Sequence, residues 1–364
     1  MSVAAIVEGE LAALGAEGIR LFDVHSHTGA DIDGSTRSAE EHLDDLAPLR
    51  GRSVIFPFCV SGSYEDENLR VIEEGRRHPE ELVPFARLDP KSISPADAAQ
   101  ALDAGAKGFK LHPRAEGFRL DHPGVAAILA AAAAARAPVL IHAGGGVGSF
   151  GLAITELADR HGDCPIVLAH AAVSDLVWLG EVAADHPNLY FDTAWWNPSD
   201  LLALFALVPP GQILFGSDEP YMKLEVVLAI VLRCARSAGL SEEAIALVLG
   251  GQLAALLEGD APADAGPALG RASFTMPTLE GRLAILLAAA GGCMLGGGDP
   301  TQILELAQLA VGEGEDADRV SALIDEARTG SPQAPWAIAM ALTLVVTPGT
   351  GSAAAQACST TLAV

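Results

Sequence analysis

Short apolar runs rich in β-branched residues recur at intervals of about 23 to 32 residues up to residue 218, each followed by a loop and an Ala/Leu/Glu segment with helical spacing. The runs cover 21–27, 53–60, 82–88, 106–112, 138–143, 165–170, 188–193 and 212–218. Helices are expected at 38–49, 68–78, 96–105, 125–136, 155–161 and 174–186, with two more at 224–238 and 241–250. Proline just past the helix marks several of the ends, at His78-Pro79, Ala137-Pro138 and His186-Pro187, because the residue before proline disfavours the α region. Eight strand–helix units of this size predict a closed (β/α)8 TIM barrel in preference to an open doubly wound sheet.

From about residue 259 the pattern changes. Asp-Ala-Pro-Ala-Asp-Ala-Gly-Pro resists both helix and sheet, so 260–278 reads as a linker and 1–259 as the barrel. An α-helical extension at 279–364 follows: a helix over 279–290, one opened by Asp299-Pro300, and one with Val320, Leu323, Ile324 and Ala327 on a single face. No catalytic constellation falls there, and the Gly/Ala/Ser/Thr-rich close at 348–364 reads as a loose terminus.

The 364 residues carry 47 Asp and Glu against 22 Lys and Arg, a formal charge of −25, which argues against a nucleic-acid partner because phosphate binding needs a basic face. The five cysteines are scattered without CxxC spacing, indicating neither a disulfide framework nor a zinc ribbon and favouring a reducing cytoplasm. Residues 1–18 read as an amphipathic helix lacking the features of a signal peptide, and the apolar run at 334–346 is too short to span a bilayer. A cytoplasmic protein without membrane partner is expected; self-association into a homo-oligomer stays open.

Ionisable residues sit repeatedly where the apolar runs end, the face on which barrels of this class build active sites. His25 and His27 end the first run, Lys110 and His112 the fourth, His142 the fifth, His170 the sixth and Asp218 the eighth. A strand period of two puts His25 beside His27, and Lys110 beside His112 with Phe109 and Leu111 turned to the outer helices. Arg114, Phe150, Trp195, Trp196 and Tyr221 lie just past strand ends and are expected around the mouth, aromatic walls with one cation suiting a small, flat, acidic organic substrate. The glycine run at 144–148 lacks the lysine of a phosphate-binding loop and reads as room for metal and substrate.

Asp-Val-His-Ser-His at 23–27, Gly-Phe-Lys-Leu-His-Pro at 108–113, Val-Leu-Ile-His-Ala-Gly at 139–144, Val-Leu-Ala-His at 167–170 and Leu-Phe-Gly-Ser-Asp at 214–218 together resemble the amidohydrolase superfamily, in its amidohydrolase-related branch of metal-dependent hydrolases. The resemblance covers about 19–259. It implies a metal held by His25, His27, His142 and Asp218, with His170 touching the substrate or the metal's water and Asp218 as general base. Imidazoles with one carboxylate suit Zn2+, with Mn2+ or Fe2+ as alternatives, one metal being favoured over two. Three readings attach to Lys110: carboxylated and bridging two metals, as in binuclear relatives; binding a substrate carboxylate; or paired with a buried acid such as Asp192. One departure is Gly251-Gln252-Leu253-Ala254 where relatives have Asn-Ala, a matter of packing more than of catalysis. Glu219 beside Asp218 adds a carboxylate that would tune or repel an anionic substrate.

The expected function is hydrolysis of a C–N or C–O bond in a small organic molecule (amide, cyclic amide, lactone or ester). The alternatives are non-oxidative decarboxylation of an aromatic or unsaturated acid, and a non-catalytic barrel with the C-terminal helices as an interaction module.

Overall fold

A computed structural model describes residues 2–17, 19–145, 148, 150–270, 278–312 and 316–349. Its strands are β1 (Phe22–Ala30), β2 (Thr36–Arg37), β3 (Arg52–Pro57), β4 (Leu82–Arg87), β5 (Gly108–Leu111), β6 (Val139–Ile141), β7 (Ile166–Leu168), β8 (Leu189–Asp192) and β9 (Ile213–Leu214). All pair in parallel in the order β1-β3-β4-β5-β6-β7-β8-β9, with β2 folded back antiparallel on the end of β1. Each of the eight expected runs is a strand of this sheet. No ladder joins β9 to β1, but Val24 N–H donates to Phe215 O (2.9 Å), Asp218 N–H to His25 O (2.8 Å) and His27 N–H to Glu219 O (2.7 Å). These bonds close the (β/α)8 barrel.

Side chains alternate across the strands. Val54, Phe56, Val83, Phe85, Leu140, Val167, Tyr190 and Leu214 fill the inside, while Ile55, Phe109, Leu111, Val139, Ile141, Ile166 and Phe191 belong to the layer under the helices. On β1 the alternation slips: the register against β3 shifts between Asp23 and Ser26. Such a bulge re-aims the side chains beyond it, so Val24 joins the inner core and His25 and His27 still reach the inner mouth.

The helices form where the apolar spacing and caps predict them. Ser38 and Ser94 open Ala39–Leu46 and Pro95–Ala104 with capping boxes, each serine accepting from the N3 backbone while Glu41 or Asp97 returns to the cap. Pro198–Leu207, after β8, escapes the sequence reading because its apolar residues run almost without interruption. The expected helix at 241–250 is broken: Glu242–Ala246 and Gln252–Glu258 flank a wide turn. There Gly250 comes so close to the start of β1 that a Cβ would lie 2.8 Å from Arg20 O and 2.9 Å from Phe22 N. Gln252, in the departing Gly251-Gln252 pair, is buried and accepts from Ala263 N–H (3.1 Å), fixing the start of the linker.

Beyond the linker, Thr301–Ala310 packs on Thr278–Leu295 and Ala317–Arg328, and these two pack on Ala334–Val346. That last helix packs on Pro198–Leu207 and Leu224–Ala238, and Ile338, Met340, Leu342 and Leu344 are buried. At about 1.5–3 kcal/mol per large apolar side chain, this burial holds the extension against the barrel. The glycine-rich part of the expected loose terminus, from residue 350, and Cys358 lie outside the described residues; the four described cysteines are free thiols. No helix among the described residues is long and apolar enough to cross a membrane.

A buried ion pair ties the N-terminal helix Val3–Glu17 to this assembly. Arg233 Nη1 donates to Glu10 Oε1 (2.9 Å) and Arg233 Nη2 to Thr347 O (3.2 Å), while Arg236 Nη1 reaches Glu10 Oε2 (3.2 Å). Removing one partner strands a buried charge. Glu10→Ala is therefore expected to lower unfolding free energy by about 3 kcal/mol in urea titration; an unchanged midpoint contradicts this view of the joint.

Candidate metal centre and active-site mouth

The barrel-closing bonds bring the two ends of the strand cycle together, and with them the ionisable side chains. His25 Nε2 lies 3.1 Å and His27 Nε2 3.3 Å from the same oxygen, Asp218 Oδ1. Asp192, at the end of β8, fixes the first imidazole: its Oδ2 is 2.7 Å from His25 Nδ1, and its Oδ1 accepts from the N–H groups of His170 (2.7 Å) and Ala194 (3.0 Å). With Nδ1–H given to Asp192, His25 turns its Nε2 to the site. His170 is oriented in the same way by Ala194 O (2.7 Å), and its Nε2 faces His142 Nδ1 at 2.9 Å.

One donor atom each from His25, His170 and Asp218 lies within 4.8 Å of the others, the group among the described residues able to hold a metal. His27 joins through the shared Asp218 oxygen and His142 through His170. Bonds of about 2.0–2.1 Å in a tetrahedral site put neighbouring ligand atoms roughly 3.3 Å apart, close to the spacings of His25 and His27 from Asp218. His27 Nδ1 and His142 Nε2 are buried without a hydrogen-bond partner, as expected of imidazoles whose nitrogens are not all used by protein. The donor set fits a divalent transition metal.

Electrostatics keep His27, His142, His170 and Asp218 in the form a metal needs, and favour the imidazolium at His25. Burial pulls the imidazolium of His27 down to about 3 and lowers those of His142, His170 and His112 as well, so these rings are neutral at pH 7. Burial would raise Asp218, but His25 and His170, with hydrogen bonds from His25 and His27, hold it well below the usual carboxylate range. For His25 burial and Lys110 act downward, and Asp218 and Asp192 overcome them. Asp23 sits under the cluster, accepting from His25 N–H and Ser217 N–H, and burial pushes its carboxyl up to about 7. The backbone is strained at the same place: His170 and Asp218 have φ of 58° and 63°, left-handed values that side chains beyond glycine seldom adopt. Gly144 belongs to this crowding, since a Cβ there would meet His170 Cδ2 at 2.8 Å.

Lys110 is buried, with Nζ 3.0 Å from His25 Nε2 and over the Phe56 ring, and burial lowers its ammonium to about 7. Asp192 acts on Lys110 through its charge, while its oxygens are hydrogen-bonded to His25, His170 and Ala194. His112 stacks on His142 with ring centres 3.9 Å apart. Tyr221 stands edge-on to His27 and donates to Asp31 Oδ2 (2.8 Å). Trp195 reaches His170 (6.1 Å between rings) and is anchored by donating to Asp200 Oδ2 (2.6 Å). Arg114 is exposed at the rim, 3.4 Å from Gly145 O.

Two cavities open on the cluster and share Arg114, His142, His170, Asp218 and Tyr221. One, of about 380 Å³, is polar, with Lys110, His112, Asp31 and Asp33; the other, of about 390 Å³, is walled by tryptophans. Phe150, expected at the mouth, lines neither; its N–H donates to Asp175 at the start of a helix. Gly146 and Val147 lie outside the described residues. Glu219 is turned away from the cluster to Arg37 Nη2 (3.1 Å) and Leu224 N–H (3.2 Å) and lines neither cavity.

The sequence reading passed over Asp23, Asp192 as a positioning group, and His42, which donates to His27 O (3.0 Å). A carboxylate ending the seventh barrel strand was the available signal for Asp192; nothing local marks His42. Asp192→Ala leaves two backbone N–H groups and an imidazole buried without acceptors, and is expected to cost metal-free protein at least about 2 kcal/mol in denaturant unfolding. A loss within error would refute that bonding scheme.

A family model described as amidohydrolase matches residues 8–251. No curated protein matches the chain. Among solved structures it is similar to 5-carboxyvanillate decarboxylase from Sphingomonas paucimobilis, at 15% identity and TM-score 0.51 over 66% of this chain and 99% of that one. It is also similar to an uncharacterised TIM-barrel protein from Bordetella bronchiseptica, at 17% identity and TM-score 0.53 over 66% and 99%. Identities this low speak for the fold. The family match takes in every barrel strand and every residue of the His and Asp cluster, and the chain belongs to the amidohydrolase family.

Proposed function

We propose that the protein is a metal-dependent hydrolase that cleaves a C–N or C–O bond of a small organic substrate. The observation that carries this reading is the single Asp218 oxygen in contact with both His25 Nε2 and His27 Nε2, beside the oriented His170. His25, His27 and Asp218 would hold the metal, with the fourth donor from the facing pair His142 and His170. Zn2+ suits this nitrogen-rich set first, and Mn2+ or Fe2+ are the alternatives. A metal so held supplies Lewis acidity and lowers the pKa of a bound water to about 7.

The residues of the chain do the rest. Asp218 takes one proton from the attacking water on its carboxylate and returns it to the departing nitrogen or oxygen, so the cleaved bond gains one hydroxyl and one hydrogen. Its depressed pKa keeps the carboxylate ionised at neutral pH. His170, held by Ala194 O, orients the substrate carbonyl. Arg114 at the rim receives an anionic group, and Lys110 and His112 line the polar cavity where such a group would sit. Trp195 and Tyr221 flank the reacting carbon on the aromatic side.

Non-oxidative decarboxylation is the second reading, supported by the likeness to 5-carboxyvanillate decarboxylase and by a cation at the rim of an aromatic cavity. Reaction in H2 18O separates the two: hydrolysis puts one 18O into product, whereas decarboxylation releases CO2 and puts hydrogen where the carboxylate was. For the centre itself, purified protein is expected to retain about one equivalent of divalent metal, and His25→Ala to lose it. Full metal content in the variant would remove His25 from the site.

A further inference from the structure

We propose that the C-terminal helices complete the active site: Thr278–Leu295 and the start of Ala334–Val346 wall an apolar subsite that binds a planar ring of the substrate. The inference rests on the cluster being the reaction centre. The second cavity is built from both parts of the chain. Trp195, Trp196 and Met222 come from the barrel, and Leu295, Pro335 and Trp336 from the extension; the same cavity is lined by His142, His170 and Asp218. Three of the four tryptophans in the chain therefore face one space.

The contact between barrel and extension is direct. Gly291, on Thr278–Leu295, is buried against Trp196: a Cβ would lie 2.7 Å from its Cζ3. Trp196 in turn neighbours Trp195 (6.4 Å), and Trp195 touches His170 (6.1 Å). A row of rings thus runs from the Gly291 contact with the extension to the cluster. Indole faces are large, rigid and apolar, and they favour flat rings by offset or edge-on stacking. A polar head at Arg114, His170 and Asp218 with a ring among the tryptophans satisfies both ends of the cavity.

The extension's part of this wall lies beyond the family match. The family match ends at residue 251, and the two barrel structures are covered at 99% of their own length by 66% of this chain. The extension adds a specificity element to a shared centre, and residues 295, 335 and 336 select the substrate without taking part in the chemistry.

The test uses full-length, Zn2+-loaded protein and three carboxylates, acetate, benzoate and 2-naphthoate, titrated by calorimetry. Wild type is expected to bind 2-naphthoate at least about tenfold more tightly than acetate, with benzoate between. Trp336→Ala and Leu295→Asp are expected to erase most of that gap while leaving acetate affinity unchanged. Leu295 is 64% exposed, so its substitution tests the subsite even where loss of Trp336 disturbs folding. Leu306→Asp, on the next helix and lining neither cavity, keeps the gap. A wild-type protein without ring preference, or variants that keep it, would overturn the proposal. Repeating the acetate and naphthoate titrations without metal separates the two claims: a ring preference that persists while acetate binding shows no dependence on metal speaks against the metal centre and leaves the subsite standing.

Discussion

Closure of the barrel between its first and last strands is the constraint on which the site depends. Three backbone hydrogen bonds, from Val24, Asp218 and His27, carry the chain ends of the cycle across the gap between β1 and β9. They set the left-handed turn at Asp218 directly over the His25-Ser26-His27 segment, and one carboxylate oxygen meets two imidazoles. Asp23 reinforces the seam from below through the N–H groups of His25 and Ser217. A buried carboxylate is costly by itself, and the hydrogen bonds from His25 and His27 with the opposed charge of His25 are what make Asp218 tolerable.

Around that seam the protein concentrates its irregularities. The bulge on β1, the left-handed run His170-Ala171-Ala172 and the left-handed Asp218 all lie at the same end of the barrel. Each left-handed residue costs of order 1–3 kcal/mol, and the packed strands and helices below hold them in place. Asp192 links them, because one carboxylate orients His25 through its ring and His170 through its backbone. The site is thereby preorganised on strand ends, where side chains are positioned more firmly than on loops.

Much of this was legible in the sequence. Period-two apolar runs ended by His, Lys or Asp gave the strands and the face of the site, and both follow from local pattern and the C-terminal location of barrel active sites. His25, His27, His142, His170 and Asp218 do converge. The finer arrangement was not legible. The β1 bulge changes which residues face inward and leaves no local signature. Which histidine stands nearest His25 and Asp218 depends on the turn after β7: His170 lies in that group and His142 behind it. The helix Pro198–Leu207 was missed because a segment buried nearly all round lacks an amphipathic rhythm. That Trp336 lines the cavity was beyond reach too, since a tryptophan in an apolar run looks like core until its neighbours are known.

The chain is thus a family barrel whose His and Asp cluster forms at its closing seam, beside a cavity lined in part by residues beyond the family match. A metal held by the His and Asp cluster would be visible to a spectroscopic probe of its ligands. X-ray absorption spectroscopy of the Zn2+-loaded protein tests this most directly. The account predicts a first shell of nitrogen and oxygen at about 2.0–2.1 Å with the outer-shell scattering of at least two imidazoles. A spectrum fitted by oxygen alone, without imidazole scattering, or by sulfur at about 2.3 Å would contradict it.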